Sequence, residues 1–367
     1  MITKHFGEYG NMDKQLVLNS KDIITSLDNL NKRFSGKKIL LTGAAGFLGC
    51  QFMHYFKILN ESNTIDHPCH IYAWDNYLRG VPDWMNELKG SPSITISKKD
   101  IIRDIDYPDP DYIIHAASIA SPTFYRKYPI ETIDSNVTGL RNILDYSKHS
   151  SVESVLFFST SEIYGDPDPA HIPTSEDYRG NVSCTGPRAC YDESKRLGET
   201  LCVNYWDKHK VPVKIVRPFN NYGPGLKISD KRVIPDFFRD VINDSDIMIY
   251  SDGKASRTFC YVSDATEGYL RLLLSNHNGD PFNIGTDQPE INMVELAKKI
   301  ISISGKELNV SYQKNKDSNY LVDNPQRRCP SIDKARKLLG YNPKIGLETG
   351  LKRTFEYYLN HPDSEDS

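Results

Sequence analysis

The chain has 367 residues, 38% hydrophobic and 25% charged, with 45 Lys and Arg against 48 Asp and Glu for a formal net charge of −3. These totals exclude a disordered or fibrous chain and describe a globular protein of one large domain or two smaller ones. They leave no basic footprint for nucleic acid, and 7 scattered Cys without a CxxC pair or a zinc-spaced Cys/His cluster predict no metal site. An odd number of unpaired Cys suits a reducing compartment. With no apolar signal-peptide core near the N-terminus and no run approaching membrane length, the expectation is a cytoplasmic protein without membrane insertion.

Residues 1–36 are polar. Within them Ile23, Ile24, Leu27, Leu30 and Phe34 mark one amphipathic helix ending at Gly36, an N-terminal extension packed on the main body or on a partner. Lys38-Ile39-Leu40-Leu41-Thr42 is a short apolar strand, residues 47–60 have helical character, and His70-Ile71-Tyr72-Ala73-Trp74 is the next strand, which makes a βαβ unit. The alternation continues with a strand over 112–116, a helix over 131–148, a continuous apolar strand over 155–159, a helix over 190–209 and a strand over 213–217. Past residue 225 it loosens into short elements with Pro/Gly turns, and a last helix spans 347–360. The fold class is therefore α/β. A Rossmann-type doubly wound parallel sheet spans 37–225, and a smaller mixed α/β C-terminal lobe spans 226–367.

The first strand runs into Thr42-Gly43-Ala44-Ala45-Gly46-Phe47-Leu48-Gly49, with the spacing GxxGxxG. Glycine suits a tight turn, a close approach to a pyrophosphate and close helix–strand packing, and the helix N-terminus offers free N–H groups to the phosphates. Gly43, Gly46, Phe47 and Leu48 are thus candidate cofactor contacts. The second strand ends at Asp75, followed by Asn76; a carboxylate here accepts from both ribose hydroxyls and repels a 2′-phosphate, which favours NAD over NADP. Asp100, before Ile101 at another strand end, is read as an adenine-side contact or equally as a solvated turn residue, and Ala116 closes the strand after that.

Tyr191-Asp192-Glu193-Ser194-Lys195 sets Tyr and Lys on one helix face. A free phenol titrates near about 10, and a neighbouring ammonium, with the positive nicotinamide ring, favours the phenolate and makes Tyr191 a base near neutral pH. Tyr191 and Lys195 therefore count both as catalytic and as cofactor contacts. Their helix follows the strand that ends in Ser159-Thr160-Ser161-Glu162, and the next strand ends in Arg217-Pro218-Phe219-Asn220.

In order, GxxGxxG, His115-Ala116-Ala117-Ser118, the segment Ser159 to Gly165, YxxxK and the segment Arg217 to Pro224 resemble the extended short-chain dehydrogenases that act on nucleotide sugars, the NAD-dependent epimerase/dehydratase family, over roughly residues 37–360. Within that family the stretches Thr160 to Pro167, Gly186 to Glu193 and Asp323-Asn324-Pro325-Gln326-Arg327-Arg328 are most similar to UDP-glucuronate decarboxylases, which make UDP-xylose. In the related 4,6-dehydratases an Asp-Glu pair follows the Thr, and the Asp protonates the departing hydroxyl; here the pair is Ser161-Glu162, and a serine is a poor acid at neutral pH. The resemblance implies an NAD-dependent carboxy-lyase working through a 4-keto sugar, with a 4,6-dehydratase or a 4-epimerase as the alternative.

It implies Tyr191 as base, Lys195 as its helper, Thr160 on the developing oxyanion, and Glu162 with Arg232 orienting the carboxylate region and supplying the C5 proton. Ser161, Asn220, Arg257 and Arg328 are expected against the UDP-linked substrate, with Tyr261 beside its ribose. The lobe over 226–367 would mainly bind the nucleotide sugar. By the same analogy a homodimer forms through the helices over 131–148 and 190–209, whose outer faces would carry Ile143, Leu144, Leu197 and Leu201. Departures from the decarboxylase pattern are Gly223-Pro224-Gly225-Leu226, where Pro-Arg-Met is usual, Ser331 after Pro330, and the segment 77–98.

Overall fold

The computed structural model describes residues 12–313, 322 and 325–361. Helix α1 (Lys14–Leu27) starts where the Asp13 carboxylate accepts from the N–H groups of Gln15 and Leu16. It stops at Asp28, whose φ of +47° takes the backbone out of the helix, and a 3-10 stretch over Asp28–Phe34 follows. The single amphipathic helix expected here is thus two pieces. Strand β1 (Lys38–Thr42), helix α2 (Phe47–Glu61) and strand β2 (His70–Asp75) form the βαβ unit. After them come α3 (Trp84–Leu88), β3 (Ile94–Lys98), β4 (Tyr112–His115), α4 (Pro122–Lys127), α5 (Pro129–Asp134), α6 (Leu140–Ser147), β5 (Ser154–Phe158), α7 (Ala189–His209), β6 (Val213–Pro218) and β7 (Asn221–Tyr222).

Seven parallel strands make the central sheet in the order β3-β2-β1-β4-β5-β6-β11, where β11 is Pro281–Ile284. Strands β4 and β5 are buried along their whole length, as continuous apolar runs covered on both faces must be. The strand order reverses between β1 and β4, so a crevice opens beyond the carboxyl ends of the strands.

The helix expected over 131–148 is α5 and α6 joined by a π-helical turn, Ser135–Gly139. A buried Asn136 accounts for the bulge: its amide donates to Ser194 (2.9 Å) and its oxygen accepts from Ser118 (2.7 Å). Ile143 and Leu144 are fully buried under this helix and belong to the core, not to an outer face. The exposed apolar residues lie on α5 and α7 instead, where Ile130 is 64% and Leu197 46% exposed beside Ile133; Leu201 is half-buried.

The second part of the chain runs α8 (Val233–Ile242), β8 (Ile247–Ile249), β9 (Ser256–Arg257), β10 (Cys260–Tyr261), α9 (Val262–Leu273), β11, β12 (Ile291–Asn292), α10 (Met293–Ser304), β13 (Val310–Tyr312), β14 (Arg327–Arg328), α11 (Asp333–Leu339) and α12 (Leu347–Asn360). It does not stay in one lobe, because α9 packs on the main sheet and β11 adds its last strand beside β6. Short pairings β8/β13, β7/β10 and β9 between β12 and β14 build the lobe proper. Helix α1 ties the two parts together. Its Asn19 donates to Gln51 of α2 (3.2 Å), Asp22 pairs with Arg353 of α12 (2.6 Å), and the Ser26 carbonyl accepts from Arg271 of α9 (2.8 Å). Among the described residues no helix is long and apolar enough to cross a membrane.

Candidate active site

The turn between β1 and α2 needs its glycines. Gly43 has φ +74°, and a Cβ there would lie 2.6 Å from the Ala117 nitrogen; a Cβ on Gly49 would lie 2.4 Å from the Ala44 carbonyl. Gly46 caps α2 without a side chain, leaving the first N–H groups of the helix open to the crevice. The Asp75 carboxylate holds this turn by accepting from Ala45 N (2.9 Å) and Tyr77 N (2.8 Å), and burial raises its pKa. Asn76 is exposed and accepts from Leu78 N (3.0 Å). Asp100 accepts from Ile102 N (3.1 Å), two residues past the end of β3. Ile101 packs into the space left by Gly139, where a Cβ would come within 2.5 Å of it. Gly43, Gly46, Phe47, Leu48, Asp75, Asn76, Asp100, Ile101 and Ala116 all line one wall of a single cleft of about 1470 Å³. A Cβ-free turn, open helix N–H groups and a carboxylate at the end of β2 fit a dinucleotide.

The opposite wall comes from the end of β5 and the start of α7. Thr160 caps the 3-10 turn Ser161–Tyr164, its hydroxyl accepting from Glu162 N (3.2 Å), and its side chain lies beside the Tyr191 phenol. Burial pushes Tyr191 up to about 12, and the Thr160 hydroxyl and the Arg232 charge pull against it. One turn on, Lys195 is 2% exposed and donates to the Phe158 carbonyl (2.7 Å); burial lowers it to about 7. Its Nζ lies 5.8 Å from the Tyr191 ring centroid. Tyr125 of α4 stacks on the other face of this region, its ring 5.2 Å from that of Tyr191 and 10° from parallel.

Three guanidinium groups surround Glu162. Arg188 and Arg328 both reach its Oε2, the latter at 2.5 Å. Arg257, held by the carbonyls of Ser256 (2.7 Å), Gln326 (3.1 Å) and Pro325, lies behind them. Burial alone would raise the Glu162 carboxyl, but Arg188, Arg328 and Arg257 outweigh it and hold it well below the usual carboxylate range. Burial, and then the Glu162 charge, raise Asp192 beside it. The two arginines on Oε2 therefore favour Glu162 as the anion, a state better suited to orienting a substrate than to giving up a proton. Arg188 was missing from the candidates, although it is the N-cap of the helix that carries Tyr191 and begins the turn leading to it. The cluster carries more positive than negative charge, and the buried Nε atoms of Arg188 and Arg328 have no hydrogen-bond partner among the described residues.

Asn220, at φ +40°, donates to the Thr258 carbonyl (2.9 Å) and accepts from Arg328 (3.4 Å). Arg232 pairs with Asp230 (2.9 Å), a 1%-exposed carboxylate that also meets Arg79 from the loop after β2 (3.1 Å). Ser161, Asn220, Arg232, Arg257 and Arg328 all line the cleft. Tyr261 does not. It is buried under the lobe with its hydroxyl donating to Asn19 of α1 (2.9 Å), so its expected place beside a ribose is corrected: α1 has claimed its polar end. Asp323 and Asn324 of the Asp-Asn-Pro-Gln-Arg-Arg segment lie outside the described residues.

Residues 39–285 match the NAD dependent epimerase/dehydratase family. The chain is 37% identical over 323 residues to UDP-glucuronic acid decarboxylase 6 of Arabidopsis thaliana, covering 88% of this chain and 89% of that protein. It is 36% identical over 322 residues to UDP-glucuronic acid decarboxylase 1 of Xenopus tropicalis, covering 88% and 72%. The fold is similar to that of UDP-glucuronic acid 4-epimerase from Bacillus cereus, solved with UDP-glucuronic acid and NAD, with a TM-score of 0.73 at 25% identity over 88% of this chain and 99% of that one.

Proposed function

The chain belongs to the NAD-dependent epimerase/dehydratase family, and on that premise we propose that it decarboxylates UDP-glucuronate through a 4-keto intermediate, forming UDP-xylose or a UDP-4-keto-pentose. The observation that carries this reading is the state of Thr160-Ser161-Glu162. Ser161 has no acidic proton to give near neutral pH, and Glu162 is held as the anion by Arg188 and Arg328. Loss of a hydroxyl needs a proton donor at that place, whereas CO2 leaves without one. The relatives named as UDP-glucuronic acid decarboxylases support the same reaction.

In this mechanism Tyr191 takes the proton of the sugar 4-hydroxyl, and the Thr160 hydroxyl beside the phenol steadies the oxygen charge. NAD, which the Gly43–Leu48 turn and Asp75 would hold, would accept the hydride from C4. The Lys195 ammonium, in the protein's interior behind Tyr191, favours the phenolate. Once C4 is a ketone, the C6 carboxylate is β to it and its bonding electrons flow into the carbonyl as CO2 departs. Glu162 and Arg232 orient the carboxylate region. Asn220, Arg257 and Arg328 meet the diphosphate, where fixed guanidinium forks suit paired oxygens. Residues 37–225 act as the NAD-binding part and 226–367 mainly as the nucleotide-sugar lobe. A homodimer forms through α5 and α7, whose exposed Ile130, Ile133 and Leu197 would otherwise face water, and the free cysteines suit a cytoplasmic setting.

The test is incubation of the purified protein with UDP-glucuronate, with products followed by mass spectrometry. A pentose product lighter by CO2 establishes the reaction. An isomer of unchanged mass would make it a 4-epimerase, and loss of water from a nucleotide hexose would make it a 4,6-dehydratase.

A further inference from the structure

Resting on the decarboxylase reading, we propose that Tyr125 is the acid that delivers the proton to sugar C5 after CO2 has left. Breaking the C5–C6 bond leaves its electron pair at C5, delocalised into the C4 carbonyl as an enolate. That carbon must take up a proton before the pentose is complete. The donor has to be a neutral acid, set in the cleft wall and close to Tyr191, because C5 is bonded directly to the carbon whose oxygen Tyr191 serves.

The other groups nearby fail one of these conditions. Glu162 is paired with two arginines and stays ionised. Asp192 lies next to Arg188 and does not line the cleft. Lys195 is turned onto the Phe158 carbonyl. Arg232 is tied to Asp230, and a guanidinium keeps its protons. Tyr191 already carries the proton of the 4-hydroxyl, which it must return if the ketone is reduced.

Tyr125 meets all three conditions. It lines the cleft, its ring lies 5.2 Å from that of Tyr191 and nearly parallel to it, and its side chain is 1% exposed. Its Oη is buried without a hydrogen-bond partner among the described residues, so its proton is not committed to another protein group. The ionisable groups that face it are Arg188, Glu162, Asp192 and Tyr191; burial keeps the phenol neutral, and Arg188 is the neighbour that favours its ionised form. The transfer balances. The O–H bond of Tyr125 breaks, the enolate electrons form the C5–H bond, the C4 ketone is restored, and the phenolate beside Arg188 regains a proton from water once product leaves.

The experiment compares wild type with Tyr125→Phe on UDP-glucuronate in D2O. The substitution keeps the stacked ring and removes an oxygen that has no partner, so the fold is retained; thermal melting and NAD affinity check this. Wild type is expected to place one deuterium at C5 in a single configuration. Tyr125→Phe is expected to release CO2 in the first turnover but to form the pentose roughly 100-fold to 10,000-fold more slowly, with deuterium at C5 in both configurations and an unchanged calorimetric Kd for UDP-glucuronate. An unchanged rate with a single C5 configuration overturns the proposal. So does a weakened Kd with rate at saturation and configuration unchanged, since Tyr125 would then only bind. No CO2 from wild type would instead overturn the decarboxylase reading on which it rests.

Discussion

Tyr191 and Lys195 are both buried where burial opposes their charged forms, so each resting group is closer to neutral than its type suggests. The phenol therefore waits for charge to be supplied by what binds beside it. Tyr191→Phe should lower turnover, read as CO2 release, by roughly 100-fold to 10,000-fold while leaving thermal melting of the folded chain unchanged. Lys195 makes a second prediction in the ligand-free protein. Its folded pKa is lowered to about 7 from 10.5, so between those values the unfolded chain binds the extra proton and stability rises with pH. Urea midpoints compared at neutral and moderately alkaline pH should climb more for wild type than for Lys195→Met; equal slopes would show that Lys195 is charged in the folded state.

The Gly-rich turn and α1 act at the scale of elements. At Gly43 a positive φ and a strand end in van der Waals contact leave no room for a side chain. Gly43→Ala should cost about 1–3 kcal/mol of stability from the strained backbone alone, measured by urea unfolding, and NAD affinity should fall with it because the turn must move away from β4. The π-helical turn between α5 and α6 is a different kind of element. It exists because Asn136 has partners on both Ser118 and Ser194, and it aligns the end of β4 with the face of α7 that bears Tyr191.

Over the whole molecule the cleft is the space between the carboxyl edge of the sheet and the small pairings of the C-terminal lobe. Its two sides are held by bridges that cross it or run behind it. Asp230 is shared by Arg79 of the sheet side and Arg232 of the lobe side, and α1 links α2, α9 and α12 from behind. The outer face of α5 and α7 carries exposed Ile130, Ile133 and Leu197, which the proposed homodimer would cover. Replacing Ile130 and Leu197 together by Glu should shift sedimentation equilibrium from dimer to monomer with the circular dichroism of the folded chain intact; a wild-type protein that is already monomeric would rule the interface out.

Local order can be read straight off the chain. Apolar runs mark β1, β4 and β5 because a strand covered on both faces has no polar side to show. GxxGxxG marks the turn because only glycine fits there, and Tyr191 and Lys195 share a helix face by spacing alone. The charge state of the site depends on contacts between distant parts of the chain. Glu162 meets Arg328 across 166 positions of chain, Tyr261 meets Asn19 across 242, and Tyr125 reaches Tyr191 from another helix. Burial and long-range pairing set whether a carboxylate can give a proton or a tyrosine can face a ligand, and neither has a local pattern in the chain.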